Sequence, residues 1–106
     1  MDFLKHSKIL YLIIFLNFFS NPRDEEIITP YGSPSSLLKH GQIEDRDVVL
    51  LARHGRLHTI PPSQVNNRAN IHALKQVGCT VILATTAVGS LREEIGRGHL
   101  VLLDQF

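Results

Sequence analysis

Two short stretches carry side chains suited to holding an oxyanion. The first is Arg53-His54-Gly55-Arg56, with His58 just beyond. The second is Thr85-Thr86-Ala87-Val88-Gly89-Ser90. Arginine offers a rigid fork of N–H donors that matches an oxyanion. Gly55 and Gly89 let the backbone approach a ligand and present N–H groups to it. Ser90-Leu91-Arg92-Glu93 fits a capping box, which predicts a helical turn whose N-terminus adds to the same field. These parts describe an anion pocket, most naturally for phosphate. Spacing alone leaves a second reading open, in which Arg53, Arg56 and His58 are solvated loop residues. Of the three, Arg56 best suits a surface ion pair.

Such a pocket needs strands to position it. Val48 to Ala52 is a continuous apolar run bounded by polar residues, the pattern of a strand covered on both faces. Thr80 to Thr86 is a second run of this kind and Leu100 to Leu103 a third. Both candidate stretches directly follow or end such a run. In parallel α/β sheets, ligands collect beyond the carboxyl ends of the strands. Alternation along the second strand turns Thr85 toward the core and Thr86 toward the ligand.

Between the first two runs the spacing predicts a helix over Gln64 to Val77. Ser63 is the expected N-cap and Gly78 the C-terminal stop. Val65, Ala69, Ala73, Leu74 and Val77 form its apolar face. Asn66 and Asn70 fall inside that face, one turn apart. They are expected to tie the Pro61-Pro62 loop to the helix; the alternative is that one of them faces a ligand or a partner subunit. Strand, helix and strand then make a βαβ unit with a parallel pair. Upstream, Leu37, Leu38 and Ile43 suggest a weak strand around Gly41, and Tyr31 to Ser36 reads as a turn-rich loop.

Composition narrows the classes. The chain has 106 residues, enough for one small domain, with 43% hydrophobic and 20% charged residues. A formal net charge of +1 gives no case for nucleic acid or a membrane surface as partner. The single cysteine, Cys79, excludes an internal disulfide and reads as an inert core residue. No Cys/His spacing matches a metal site.

The N-terminal segment, residues 1–22, is set apart from a partial α/β domain over residues 23–106. Ile9 to Phe19 is almost all apolar, with Lys5, His6 and Lys8 before it. Three readings stay open for it. It is a buried strand that opens the domain, a signal or membrane anchor over residues 5–19, or sequence foreign to the fold. The run falls short of the roughly 20 apolar residues of a spanning helix. No small-residue cleavage site follows it. A cytoplasmic location is the expectation.

The run RHGRLHTIPPSQVNNRANIHALKQVGC, then TTAVGSLREEI and VLLDQF, with TPYGSPS before them, resembles the purine nucleoside phosphorylase family. The likeness is to its branch that acts on S-methyl-5′-thioadenosine, and it covers about three quarters of this chain. It implies a partial, incomplete nucleoside-phosphorylase-like sheet. It also implies phosphorolysis of S-methyl-5′-thioadenosine to adenine and 5-methylthioribose 1-phosphate, a step of methionine and purine salvage. Phosphate is then the co-substrate, with no cofactor and no metal.

The family's Arg-His pair maps onto Arg53 and His54, and its threonine-alanine pair onto Thr86 and Ala87, all at the phosphate. Val88 and Gly89 line the purine and sugar pocket, with His58 close by. The full-length family is expected to be a homotrimer; much of that interface lies outside the present residues. Two departures stand out. The family's Gly-Gly-Thr/Ser-Gly loop is absent where the apolar Ile9–Phe19 run stands, and Gly96-Arg97-Gly98-His99 replaces its Pro-Gly-Asp type of turn. The segments that would carry the general acid and further sugar contacts are also missing, so the chain alone is expected to be inactive. The alternatives are a non-catalytic remnant with a weak phosphate site, or a membrane-directed small protein.

Overall fold

The computed structural model describes residues 8–10 and 20–105. Five strands form one sheet, in the order β2-β3-β4-β1-β5. They are β1 (Lys8–Leu10), β2 (Ser20–Glu25), β3 (Leu38–Ile43), β4 (Arg46–Leu50) and β5 (Cys79–Ile82). One α-helix, α1 (Asn67–Gln76), lies between β4 and β5 in the chain. β2, β3 and β4 make an antiparallel meander, whereas β1 is parallel to both of its neighbours.

The charged turn after β3 has a local cause. Glu44 and Asp45 both take positive φ, at 49° and 64°. Two left-handed residues give a two-residue hairpin turn whose twist matches the flanking strands. The register then sets Lys39 against Leu50 and His40 against Val49.

β4 holds the core. Its side chains alternate between faces, as the two-residue period requires. Val49 joins Leu51, Ile27, Leu38, Ala73 and Leu74 in a buried cluster, with Val77 and Cys79 packed against it. Val48 and Leu50 form a second cluster with Ile43. The helix therefore covers the Val49 face through Ala73 and Leu74.

α1 begins later than the apolar periodicity predicts. Pro62–Gln64 is a single 3-10 turn, and Asn66, not Ser63, is the N-cap. Asn66 Oδ1 accepts from the Ala69 N–H at 3.1 Å, so an amide supplies the cap. Two prolines before Ser63 hold the preceding backbone extended. The C-terminal stop is as expected: Gly78 has φ +89° and its N–H reaches the Lys75 carbonyl at 3.0 Å.

The two asparagines do not tie down the Pro61-Pro62 loop. They hold the earlier loop, residues 29–37. Asn66 Nδ2 donates to the Tyr31 carbonyl at 2.7 Å. Asn70 is buried, accepts from the Ser35 N–H at 2.8 Å and donates to the Ser35 hydroxyl at 3.0 Å. That loop opens with a tight turn in which Thr29 and Gly32 exchange backbone hydrogen bonds. Pro30 takes its second position and Gly32, at φ +100°, its last.

Three further expectations are corrected. β4 and β5 are not neighbours, because β1 stands between them and pairs with each. Leu100 to Leu103 is not a strand; its side chains are exposed, Leu100 and Leu102 almost completely. A run reads as a strand only if something covers it, and no described residue does so. Ser90 starts no helix: its hydroxyl accepts from the Arg92 N–H and donates to the Arg92 carbonyl, a local turn. Of the apolar N-terminal run, Ile9 and Leu10 belong to β1, while Tyr11 to Phe19 lie outside the described residues. No helix among the described residues is long and apolar enough to cross a membrane.

Two measurements test this packing. Asn70→Ala strands the Ser35 N–H and should destabilise the chain by about 1–3 kcal/mol, read by urea unfolding at low micromolar concentration. An equal stability in wild type and variant would contradict the role given to Asn70. The outer edge of β5 has no strand partner among the described residues, so the chain should self-associate as concentration rises. Sedimentation velocity that finds only monomer at high concentration would refute this.

Candidate anion site

The register sets the strands from which both candidate stretches depart level with one another. Leu10 of β1 faces Val49 of β4 on one side and Ile82 of β5 on the other. All three strands run in the same direction. The chain therefore leaves β4 and β5 at the same level, with the end of β1 between them. Two strand spacings separate β4 from β5, about 10 Å. Residues 53–60 and 83–89 follow from these two ends.

The first segment is a compact loop closed by its own backbone. The Gly55 N–H donates to the Ala52 carbonyl at 2.9 Å and the His58 N–H to the Gly55 carbonyl at 3.0 Å. The Ile60 N–H donates to the His54 carbonyl at 3.0 Å. In return the His54 ring Nδ1 lies 2.9 Å from the Ile60 carbonyl. A carbonyl only accepts, so Nδ1 carries the proton in this hydrogen bond. Gly55 has φ +82°, and a Cβ there would meet the Ile60 side chain at 3.5 Å. Alanine at this position would be strained by its backbone alone.

Arg53 is half-buried, and its Nε is buried with no hydrogen-bond partner among the described residues. A buried N–H of a cation costs free energy unless something accepts from it. His54 is half-buried and His58 exposed, their rings 5.1 Å apart and tilted. Arg56 has a partner: its Nη2 donates to Asp24 Oδ1 at 2.6 Å. It is the surface ion pair that the sequence suggested for this residue.

The loop is braced from below. The Ser36 hydroxyl accepts from the Ala52 N–H at 3.0 Å, at the point where β4 gives way to the loop. Asn70 holds the neighbouring Ser35. Ser35 and Ser36 thus connect α1 to the base of the 53–60 loop. Sequence reasoning read them only as turn residues.

The second segment is open. Thr85, Thr86, Ala87, Val88 and Gly89 are all exposed. Thr85 is therefore not turned into the core, because β5 ends at Ile82 and strand alternation stops there. Val88 and Gly89 border an open hollow with Ser90, Leu91, Arg92 and Ile95. No group of His, Cys, Asp or Glu among the described residues is arranged to hold a metal ion.

The comparisons with known proteins agree on one family. The Phosphorylase superfamily model matches residues 18–106. The S-methyl-5′-thioadenosine phosphorylase of Danio rerio is 61% identical over 80 residues, which are 76% of this chain and 29% of the relative. That of Thermofilum pendens is 50% identical over 90 residues, 85% of this chain and 34% of the relative. Among solved structures, the methylthioadenosine phosphorylase of Schistosoma mansoni in complex with adenine superposes with a TM-score of 0.77 at 44% identity. It covers 85% of this chain and 34% of its own. The chain spans about a third of the length of the relatives it matches. The match takes in both candidate stretches and every described element except β1. This chain belongs to the phosphorylase superfamily.

Proposed function

We propose that this chain is the phosphate-binding portion of an enzyme that phosphorolyses S-methyl-5′-thioadenosine. The names carried by its relatives support that substrate. The observation that supports the reading is the shared level of the β4 and β5 strands across β1, from whose ends the segments carrying Arg53-His54 and Thr86-Ala87 depart. In this reading Arg53, His54, Thr86 and Ala87 hold inorganic phosphate. The unpaired Arg53 Nε is a donor that such an anion would satisfy. Val88 and Gly89 line the purine and sugar pocket, and His58 shapes it.

The reaction forms a bond between a phosphate oxygen and the anomeric carbon of the ribose. The bond from that carbon to the purine breaks, and its electron pair leaves with the base, which takes up a proton. Positive charge develops on the sugar, as in glycoside hydrolysis. A dianion held beside it is both nucleophile and counter-charge. Arg53 would orient the phosphate, and no resident cofactor or metal takes part. A protonating group for the departing purine is not among the residues assigned. Its absence typically costs about 10²–10⁴ in rate. The full-length enzyme is read as a cytoplasmic homotrimer that binds nucleoside and phosphate.

Two tests follow. Incubated with S-methyl-5′-thioadenosine and phosphate, the purified chain alone should release no adenine above background. Steady release would overturn the inactivity. In hydrogen–deuterium exchange, inorganic phosphate should protect residues 53–60 and 83–89. Arg53→Ala should weaken that protection about 10–100-fold in apparent Kd, the loss of one hydrogen bond to a charged group. No protection of the wild-type chain at any phosphate concentration would sink the reading.

A further inference from the structure

We propose that Asp24 is a positioning residue for the anion loop and acts through Arg56. The proposal rests on the reading of residues 53–60 as the phosphate loop. Asp24 lies on β2, far from that loop in sequence and two strands away from β4. The register explains how they meet. Asp24 faces Lys39 and Lys39 faces Leu50, so Asp24 stands level with the last residue of β4. β2 also runs in the same direction as β4, and both therefore end at the edge from which the loop departs.

Arg56 Nη2 lies 2.6 Å from Asp24 Oδ1, and the same oxygen has Lys39 Nζ at 3.5 Å. The hydrogen bond from Arg56 holds the Asp24 carboxyl below its usual range. The charges of Arg56 and Lys39 add to this, against partial desolvation. Among the described residues this is the one ion pair that the loop makes. The loop's other bonds close it upon itself or hold its base at Ala52. Arg56 sits between two left-handed residues, Gly55 and His58. The direction of its side chain therefore reports and restrains the orientation of the whole turn. With Arg56 held outward by Asp24, Arg53 is the guanidinium of this loop that has no acid partner among the described residues.

Solvent screens the pair, since the two side chains are 44% and 38% exposed. Its loss should therefore loosen the loop without unfolding the domain. Hydrogen–deuterium exchange of the 106-residue chain without phosphate gives the direct test. Asp24→Asn should raise exchange over residues 53–60 about 2–5-fold, with circular dichroism unchanged. Asp24→Glu should largely restore protection, and so should the charge swap that combines Asp24→Arg with Arg56→Asp. In wild type the restraint is present above the ordinary carboxylate pKa of about 3.8 and lost as pH falls through the depressed value of the folded state. After correction for intrinsic exchange, Asp24→Asn should lack that acid transition. With inorganic phosphate added, Asp24→Asn should require several-fold more phosphate for the same protection. Exchange in Asp24→Asn equal to wild type, or a charge swap that restores nothing, overturns the proposal. Absence of phosphate protection in wild type would instead strike the phosphate reading, and the phosphate-free comparison would still decide the role of Asp24.

Discussion

The alignment of three parallel strands governs the candidate site. Lys8 to Leu10 are the described residues of β1, and both larger parts of the sheet are registered against them. Because Leu10 faces Val49 and Ile82 together, the exits from β4 and β5 are matched in height. A slip of one residue on either side would invert which side chains face the core and shift one exit by more than 3 Å. Hydrogen-bonding partners tolerate far less displacement than that. The buried alternation of Val48, Val49, Leu50 and Leu51 opposes any such slip, since each would have to change face.

A buried amide conveys this order to the loop. Asn70 occupies a position on α1 that its neighbours Ala69, Ala73 and Leu74 give to apolar contacts. Both ends of its side chain are satisfied by Ser35, so burial carries no unmet polar group. Ser36, next in the chain, holds the Ala52 N–H at the root of residues 53–60. Helix, loop and strand end are thereby joined through two serines. Residues 83–89, after β5, are exposed.

The sequence made β3, β4, the central helix and the two chemistry-bearing strand ends legible, but not β2, whose residues Ser20 to Glu25, polar or charged apart from Pro22, carry no apolar pattern. Continuous apolar runs and a glycine at the helix stop are local signals, and β4, α1 and β5 are where they point. The helix start was misplaced because apolar periodicity continues through Val65, while the backbone obeys the two prolines before it. Strand adjacency was misjudged because nothing local in β4 or β5 records that β1 lies between them. The partner of Arg56 was hidden for a related reason. Asp24 sits in the charged run Arg23-Asp24-Glu25-Glu26, and only the β2–β3–β4 register shows which of these acids reaches the loop. Leu100 to Leu103 has the composition of a strand, but composition cannot tell whether a neighbour exists to pair with it.

The place of β1 has a bearing on how the chain reaches this arrangement. The strand nearest the N-terminus ends in the interior of the sheet, with partners about forty and about seventy residues downstream. Closing such loops costs entropy before any ladder bond is gained. On a ribosome, β2, β3 and β4 can pair among themselves as they emerge, whereas β1 must wait for Cys79 to Ile82 before both of its sides are filled. A strand made before its partners is thus among the last to be sealed, and the ends of β4 and β5 come level only when that late closure is complete.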